Sequence, residues 1–152
     1  MKHHFAALIV LLLAHLAAIQ AAAVKFSAIF SDHVVVQREK PVPVWGWAEP
    51  GENITVQFGG QKKTTVADAN GRWMTKLDPM GASPEPRKLI AHAQTAGYTS
   101  SLRDVLVGDV WLCSGQSNMN VPVKNSENGD AEILAADHPQ IRFFVVPEVA
   151  KA

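Results

Sequence analysis

The sequence predicts a chain of two parts: a small antiparallel β-sandwich, and then the first βαβ unit of an α/β domain. Short segments of alternating apolar and polar residues, separated by Gly, Pro and Asn turns, fill the stretch 24–104. A nearly continuous apolar run then begins at Val105. Such runs are typical of strands that are buried on both faces of a parallel sheet. We therefore predict domains at 24–104 and 105–152.

The first 23 residues predict a secretory signal peptide. Lys2 starts a short polar segment, residues 5–19 are apolar apart from His15, and residues 21–23 are all alanine. Cleavage before Val24 would follow from this pattern, and we expect an exported protein (secreted, periplasmic or lumenal) without stable membrane association. The alternative is an uncleaved membrane anchor, because the apolar run is just long enough to span a bilayer.

Within the first part, the turn residues and the alternation of side chains predict the order of strands. Pro43 places its strand, 42–47, at a sheet edge, since proline cannot donate to a ladder. Asn70-Gly71 predicts a tight hairpin turn. The other predicted features are strands at 34–36, 54–58, 64–66, 73–77, 89–94 and 99–102, turns at 49–52 and 59–60, and a loop at 79–86.

The second part predicts strand, loop, helix and strand in turn. The strand 105–113 ends in the single cysteine, Cys113, which we expect to be buried as a small apolar residue. A polar loop, 114–129, leads to a helix at 131–136 that Pro139 ends, and 141–146 is a second strand. One βαβ unit is too small to cover its own sheet, so we expect this domain to be incomplete.

Charge and composition exclude several kinds of partner. The 14 basic and 14 acidic residues cancel, and they form no block of like charge. This balance gives no electrostatic basis for nucleic-acid binding. No cluster of residues has the spacing of a metal site, so the sequence gives no reason to expect a bound metal.

The candidate catalytic residue is Ser117, directly after the predicted strand. Gly115-Gln116-Ser117 has the first half of the nucleophile-elbow pattern, in which a glycine permits a tight turn and the serine is exposed at the sheet edge. Position 119 is Met rather than Gly, which argues against the standard α/β-hydrolase class. The alternative is an ordinary turn with an unreactive serine, because a hydroxyl needs a neighbouring base.

The segment 106–119 reads LVGDVWLCSGQSNM, and the segment 29–38 reads IFSDHVVVQR and is followed by PVPVWGWA at 41–48. These two segments resemble sialate O-acetylesterases. The resemblance extends over about 26–146. It implies an SGNH-type hydrolase domain of flavodoxin-like architecture with a β-domain, no cofactor, and removal of O-acetyl groups from sialic acids through an acetyl-enzyme. It also implies that Ser117 is the nucleophile and that Gly115, Gln116 and Asn118 lie near the substrate and the oxyanion.

The resemblance further implies that the catalytic His and Asp lie outside this sequence. His33, His92 and His138 are interpreted as structural or surface residues. We therefore expect an N-terminal fragment that is inactive by itself.

Two other functions stay open, namely an acetylxylan-type polysaccharide esterase and an inert β-sandwich binding module. Trp45, Trp47 and Trp73 suit a sugar-stacking platform, although core packing is the preferred interpretation. Asp104 and Asp109 are interpreted as turn or ion-pair residues.

Overall fold

The computed structural model describes residues 23–146, and the predicted leader at 1–23 lies almost entirely outside this range. The described part is mostly β-structure, with short helical segments at Ser117–Asn120 and Val123–Asn125 (both 3-10) and one α-helix, α1, at Gly129–Ala135. None of these helices is long and apolar enough to cross a membrane. The strands are β1 (Lys25–Phe26), β2 (Val35–Gln37), β3 (Val42–Trp47), β4 (Asn53–Phe58), β5 (Gln61–Val66), β6 (Arg72–Leu77), β7 (Ser83–Ala93) and β8 (Thr99–Gly108).

The strands form two sheets that enclose one apolar core. The small sheet has the order β1-β3-β6, and the large sheet has the order β2-β8-β7-β4-β5. All pairs are antiparallel except β2 with β8, which is parallel. The core draws on both sheets, as expected when alternate residues of each strand face inward. Its fully buried members include Val44, Ile54, Val56, Trp73, Leu77, Leu89 and Val105.

Trp73 is the largest fully buried side chain. Its ring meets Phe26 edge-on at a centroid distance of 5.7 Å. Gly46 makes room for this arrangement, because a Cβ there would lie 2.7 Å from the Trp73 ring and closer still to the backbone of Lys25. The indole N–H of Trp73 is buried without a hydrogen-bond partner among the described residues.

Two predicted turns are confirmed, and their glycines have the positive φ angles that these turn types require. Gly59 and Gly60 join β4 to β5 with positive φ at both positions, 55° and 80°, as a two-residue hairpin of type I′ requires. Pro50 and Gly51 form the centre of the turn 49–52, and Gly51 has φ of 79°. The N–H of Glu52 donates to the carbonyl of Glu49 at 3.0 Å. This is the pattern of a type II turn.

The predicted hairpin at Asn70-Gly71 is wrong, because the two strands on either side of the turn do not pair with each other. The turn exists, and Asp68 accepts the N–H groups of Asn70 and Arg72 at 2.8 and 2.9 Å. However, β5 and β6 belong to different sheets, so the turn carries the chain across the core. An Asn-Gly sequence determines the local bend of the chain. Which strand the next segment pairs with depends on which side chains become buried.

Three further expectations about the first part need correction. Residues 83–86 belong to β7 rather than to a loop, and the register shifts there where prolines interrupt the ladder. β3 is the central strand of its sheet, although β1 covers only Gly46 and Trp47, so Pro43 has a neighbour on one side only. Trp73 is the core tryptophan, whereas Trp47 is 47% exposed.

The expected βαβ unit is not formed. β8 passes through the predicted boundary at 104/105 and ends at Gly108, so 105–108 complete the large sheet. Beyond it, residues 109–113 and 141–146 are not strands. All of them except the half-buried Arg142 are exposed, with Trp111 at 84% and Leu112 at 91% exposure. Cys113 is exposed, contrary to expectation. A strand needs neighbours to pair with, and within 23–146 these segments have none.

We expect Trp73→Ala to destabilise the protein by about 3–5 kcal/mol, because it removes a fully buried ring and leaves a cavity. Urea unfolding followed by circular dichroism would measure the loss. Trp73→Phe should cost less, since it retains an aromatic ring and removes the unpartnered N–H. Trp111→Ala is the matched control at an exposed position and should change the free energy of unfolding by less than about 0.5 kcal/mol. Equal losses in the Trp73→Ala and Trp111→Ala variants would contradict this account of the core.

Candidate active site

Ser117 lies on an exposed 3-10 turn nine residues after the end of β8. The N–H of Met119 donates to the carbonyl of Gln116 at 2.9 Å, which closes the turn. Gly115 allows the Met119 side chain to fold back, because a Cβ at Gly115 would lie 2.7 Å from Met119 Cγ. The Gly-x-Ser bend is therefore present, but it does not sit at the edge of a sheet, since the strand expected before it is not formed.

The residues predicted to surround Ser117 share this turn. The side chains of Gln116 and Asn118 are exposed, and the carbonyl of Asn118 accepts the N–H of Val121 at 3.4 Å. In the part of the chain that the structure describes, Ser117 Oγ makes no hydrogen bond to a basic side chain. The turn presents the hydroxyl to solvent without an activating base.

The candidate histidines have other partners. His92 Nδ1 lies 2.9 Å from Thr99 Oγ1 across two neighbouring strands. The carbonyl of His138 accepts the N–H of Ile141 at 2.9 Å, in a turn after α1. His33 Nδ1 lies 2.5 Å from Asp104 Oδ2. The interpretation of these histidines as structural or surface residues agrees with these contacts.

An ionic cluster joins the sandwich to the following segment. Asp104, which has φ of 55° within β8, accepts His33 on Oδ2 and Arg142 on Oδ1 at 3.1 Å. Arg142 also donates to the Asp104 carbonyl. Beside this pair, Asp32 accepts the backbone N–H and the guanidinium of Arg103. The sequence predicted an ion pair at Asp104 but not its partner, because Arg142 stood inside an expected strand.

These contacts lower the pKa of both carboxyl groups. The hydrogen bond from His33 and then those from Arg142 hold the pKa of Asp104 below its ordinary value. The backbone and side-chain hydrogen bonds from Arg103 lower the pKa of Asp32. Both effects arise because the donors favour the ionised carboxylate.

The two segments that resemble sialate O-acetylesterases meet in space. β2 pairs with the end of β8, Val35 opposite Leu106 and Gln37 opposite Gly108. Gln37 Oε1 accepts the N–H of Val110 at 2.9 Å. Arg38 Nε donates to Asp109 Oδ1 at 2.9 Å, and this carboxylate raises the pKa of Arg38. The first segment thus fixes the point at which the chain leaves the sheet toward Ser117.

The described residues offer no metal centre. Across 23–146, no group of three or more His, Cys, Asp or Glu side chains is placed to hold a metal ion.

Comparison with known proteins gives consistent relatives. The chain is 37% identical over 133 residues to a sialate O-acetylesterase of Mus musculus, a match that covers 80% of this chain and 24% of the relative. A sialate O-acetylesterase of Homo sapiens is 36% identical over 135 residues, covering 82% and 26%. No family model matches the chain.

A solved structure agrees with these relatives. A carbohydrate acetylesterase from Xanthomonas citri superposes with a TM-score of 0.70 at 38% identity, covering 76% of this chain and 26% of that one. The chain thus spans about a quarter of the length of the proteins it matches.

We expect stability to fall in acid through Asp104. Its folded pKa is lowered, so its contribution is fully present above the ordinary value of 3.8 and is lost as the pH falls below that value. Asp104→Asn should lower the stability at neutral pH and flatten the decline between about pH 4 and pH 2. Urea unfolding across this range would measure both effects.

Asp109→Asn is the matched control for loss of one charge. Asp109 pairs with Arg38, away from His33 and Arg142. The decline due to Asp104 should persist in this variant. An unchanged acid decline in Asp104→Asn would show that the cluster does not act as described.

Proposed function

Because the matched part of this chain belongs to the sialate O-acetylesterase family, we propose that it supplies the serine nucleophile of an esterase that removes O-acetyl groups from sialic acids. The observation that carries the proposal is the match itself. A match that covers 80% of a 152-residue chain extends across position 117 wherever it begins, which supports the proposal. The exposed Gly115–Ser117 bend also supports the proposal, since a nucleophile must be reachable by its substrate.

In the proposed reaction, Ser117 Oγ attacks the carbonyl carbon of the acetyl ester while a base takes the hydroxyl proton. Negative charge develops on the carbonyl oxygen and needs preorganised donors. The backbone N–H of Ser117 is one candidate donor, and in this proposal the side chains of Gln116 and Asn118 flank the acetyl group. The protonated base then returns its proton to the departing sugar oxygen. Water hydrolyses the acetyl-enzyme to acetate and free Ser117.

Within residues 23–146, no histidine forms a hydrogen bond with the Ser117 hydroxyl, so the general base of the proposed reaction is missing. His33 is paired with Asp104, and His92 contacts Thr99. A general base must come within hydrogen-bond reach of the proton it removes. We therefore infer that this chain alone is inactive, and that a complete site needs a histidine and a carboxylate from the longer protein that the relatives represent.

The first test measures acetate release from O-acetylated sialic acid by the chain alone. We expect no release above the background of a Ser117→Ala variant, because the hydroxyl lacks a base. Release that disappears in Ser117→Ala would overturn the inference of inactivity and leave the nucleophile in place. His138→Ala would then identify the base.

The second test supplies the missing groups. The matched segment of the Xanthomonas citri carbohydrate acetylesterase is replaced by this chain, and acetate release is measured in the chimera. We expect activity, and a loss of at least about 1,000-fold in Ser117→Ala, as is usual when a nucleophile is removed. Ser114→Ala, another serine in the same exposed loop, should retain activity. An active, folded Ser117→Ala chimera would refute the nucleophile assignment.

We also propose that the protein is exported and cleaved before Val24, on the pattern of residues 1–23. Expression with its own leader in a secreting host should give a product whose N-terminal residue is Val24, as measured by mass spectrometry of the exported fraction. A full-length product that remains with the membrane would contradict cleavage.

A further inference from the structure

The outward face of the small sheet carries an unusual set of side chains. Inward positions of β3 and β6 are buried, so the alternate positions point away from the core. Cross-strand neighbours on this outward face are Trp45 with Met74 and Trp47 with Arg72. The six outward positions are Pro43, Trp45, Trp47, Arg72, Met74 and Lys76. None of the six is acidic.

The indoles of Trp45 and Trp47, together with Met74, form the apolar part of this face. Trp47 is 47% exposed and Met74 is 42% exposed. The Phe30 ring packs edge-on against Trp45, with their ring centroids 4.7 Å apart. Within the described range, Trp47 has no aromatic partner. Residues two apart on one strand lie about 7 Å from each other, so the two indoles are neighbours on this outward face. Exposed aromatic rings suit the C–H faces of sugar rings.

Three cationic side chains give this outward face a positive charge. Lys25 of β1 stands opposite Trp47, and Lys76 stands opposite Pro43, so three cations including Arg72 border the indoles. In the region that the structure covers, none of the three has a carboxylate within ion-pair distance. Asp68 lies near Arg72, but its carboxylate accepts backbone N–H groups. A ligand with a carboxylate would supply the missing negative charge.

We propose that this face is a binding surface for an anionic glycan. Trp47 stacks on a sugar ring with Trp45 beside it, while Arg72, the cross-strand neighbour of Trp47, contacts the carboxylate of an acidic sugar. The surface is separate from the Ser117 turn, so binding requires no nucleophile and no complete active site. The carbohydrate class follows from the paired indoles, and the anionic class follows from the charge.

The test measures binding of sialyllactose and of lactose, which differ by one acidic sugar, to the full chain by saturation-transfer NMR and calorimetry. We expect weak binding of sialyllactose, with Kd on the order of millimolar, and weaker binding of lactose. Trp47→Ala should weaken binding of sialyllactose by about fivefold, as expected for loss of one stacked ring. Arg72→Gln should weaken sialyllactose alone, by about threefold, and higher salt should have the same effect.

Matched controls lie elsewhere on the surface. Trp111→Ala removes a tryptophan that is 84% exposed, and Lys124→Gln removes an exposed cation, and both should bind as the wild type does. Unchanged melting of Trp47→Ala would exclude misfolding. The proposal is overturned if sialyllactose does not bind at millimolar concentrations, or if Trp47→Ala and Trp111→Ala have equal effects. Self-association or acidic-peptide binding that Trp47→Ala abolishes, without glycan binding, would assign the face to protein contacts and also overturn it.

Discussion

The burial of Trp73 between the two sheets is the interaction on which the rest of the described structure depends. No disulfide is available, because the chain has one cysteine. Within the described residues, the sheets share one apolar core, and Trp73 is its largest fully buried side chain. Gly46 allows this packing and also allows β1 to approach β3. Removing water from one large ring therefore stabilises the small sheet, which in turn supports the paired indoles on its outer surface.

Within the sandwich, the local pattern predicted most of the strands but not which strands pair with each other. Alternation at 54–58 and 72–77, and the glycines at 59–60, are direct consequences of side-chain periodicity and backbone freedom. The turn at Asn70-Gly71 has the same local signature as a hairpin, yet it connects different sheets. The run 105–113 is apolar on both sides of Gly108 and Asp109, so its composition does not reveal that pairing with β2 and β7 ends at Gly108. Neighbours that are distant in sequence decide such questions.

The sequence predicted where the candidate nucleophile lies, but it did not predict the contacts that surround its loop. Gly115, Gln116, Ser117 and Asn118 share one turn, as their adjacency requires. The contacts that fix the loop entrance come from Gln37 and Arg38, and no pattern in the sequence links these residues to Asp109 and Val110. The cluster of His33, Asp104 and Arg142 was equally hidden, since its members are far apart in sequence and Arg142 stood inside an expected strand.

The parallel pairing of β2 with β8 has a consequence for the order of events during synthesis. Asp32 and Arg103, which meet beside this pair, are 71 residues apart. The loop between them cannot close until β8 has been made, and closure over such a distance is slow compared with local hairpins. A chain synthesised from its N-terminus would therefore complete the large sheet only when Gly108 emerges. The loop that carries Ser117 would then emerge from an assembled support.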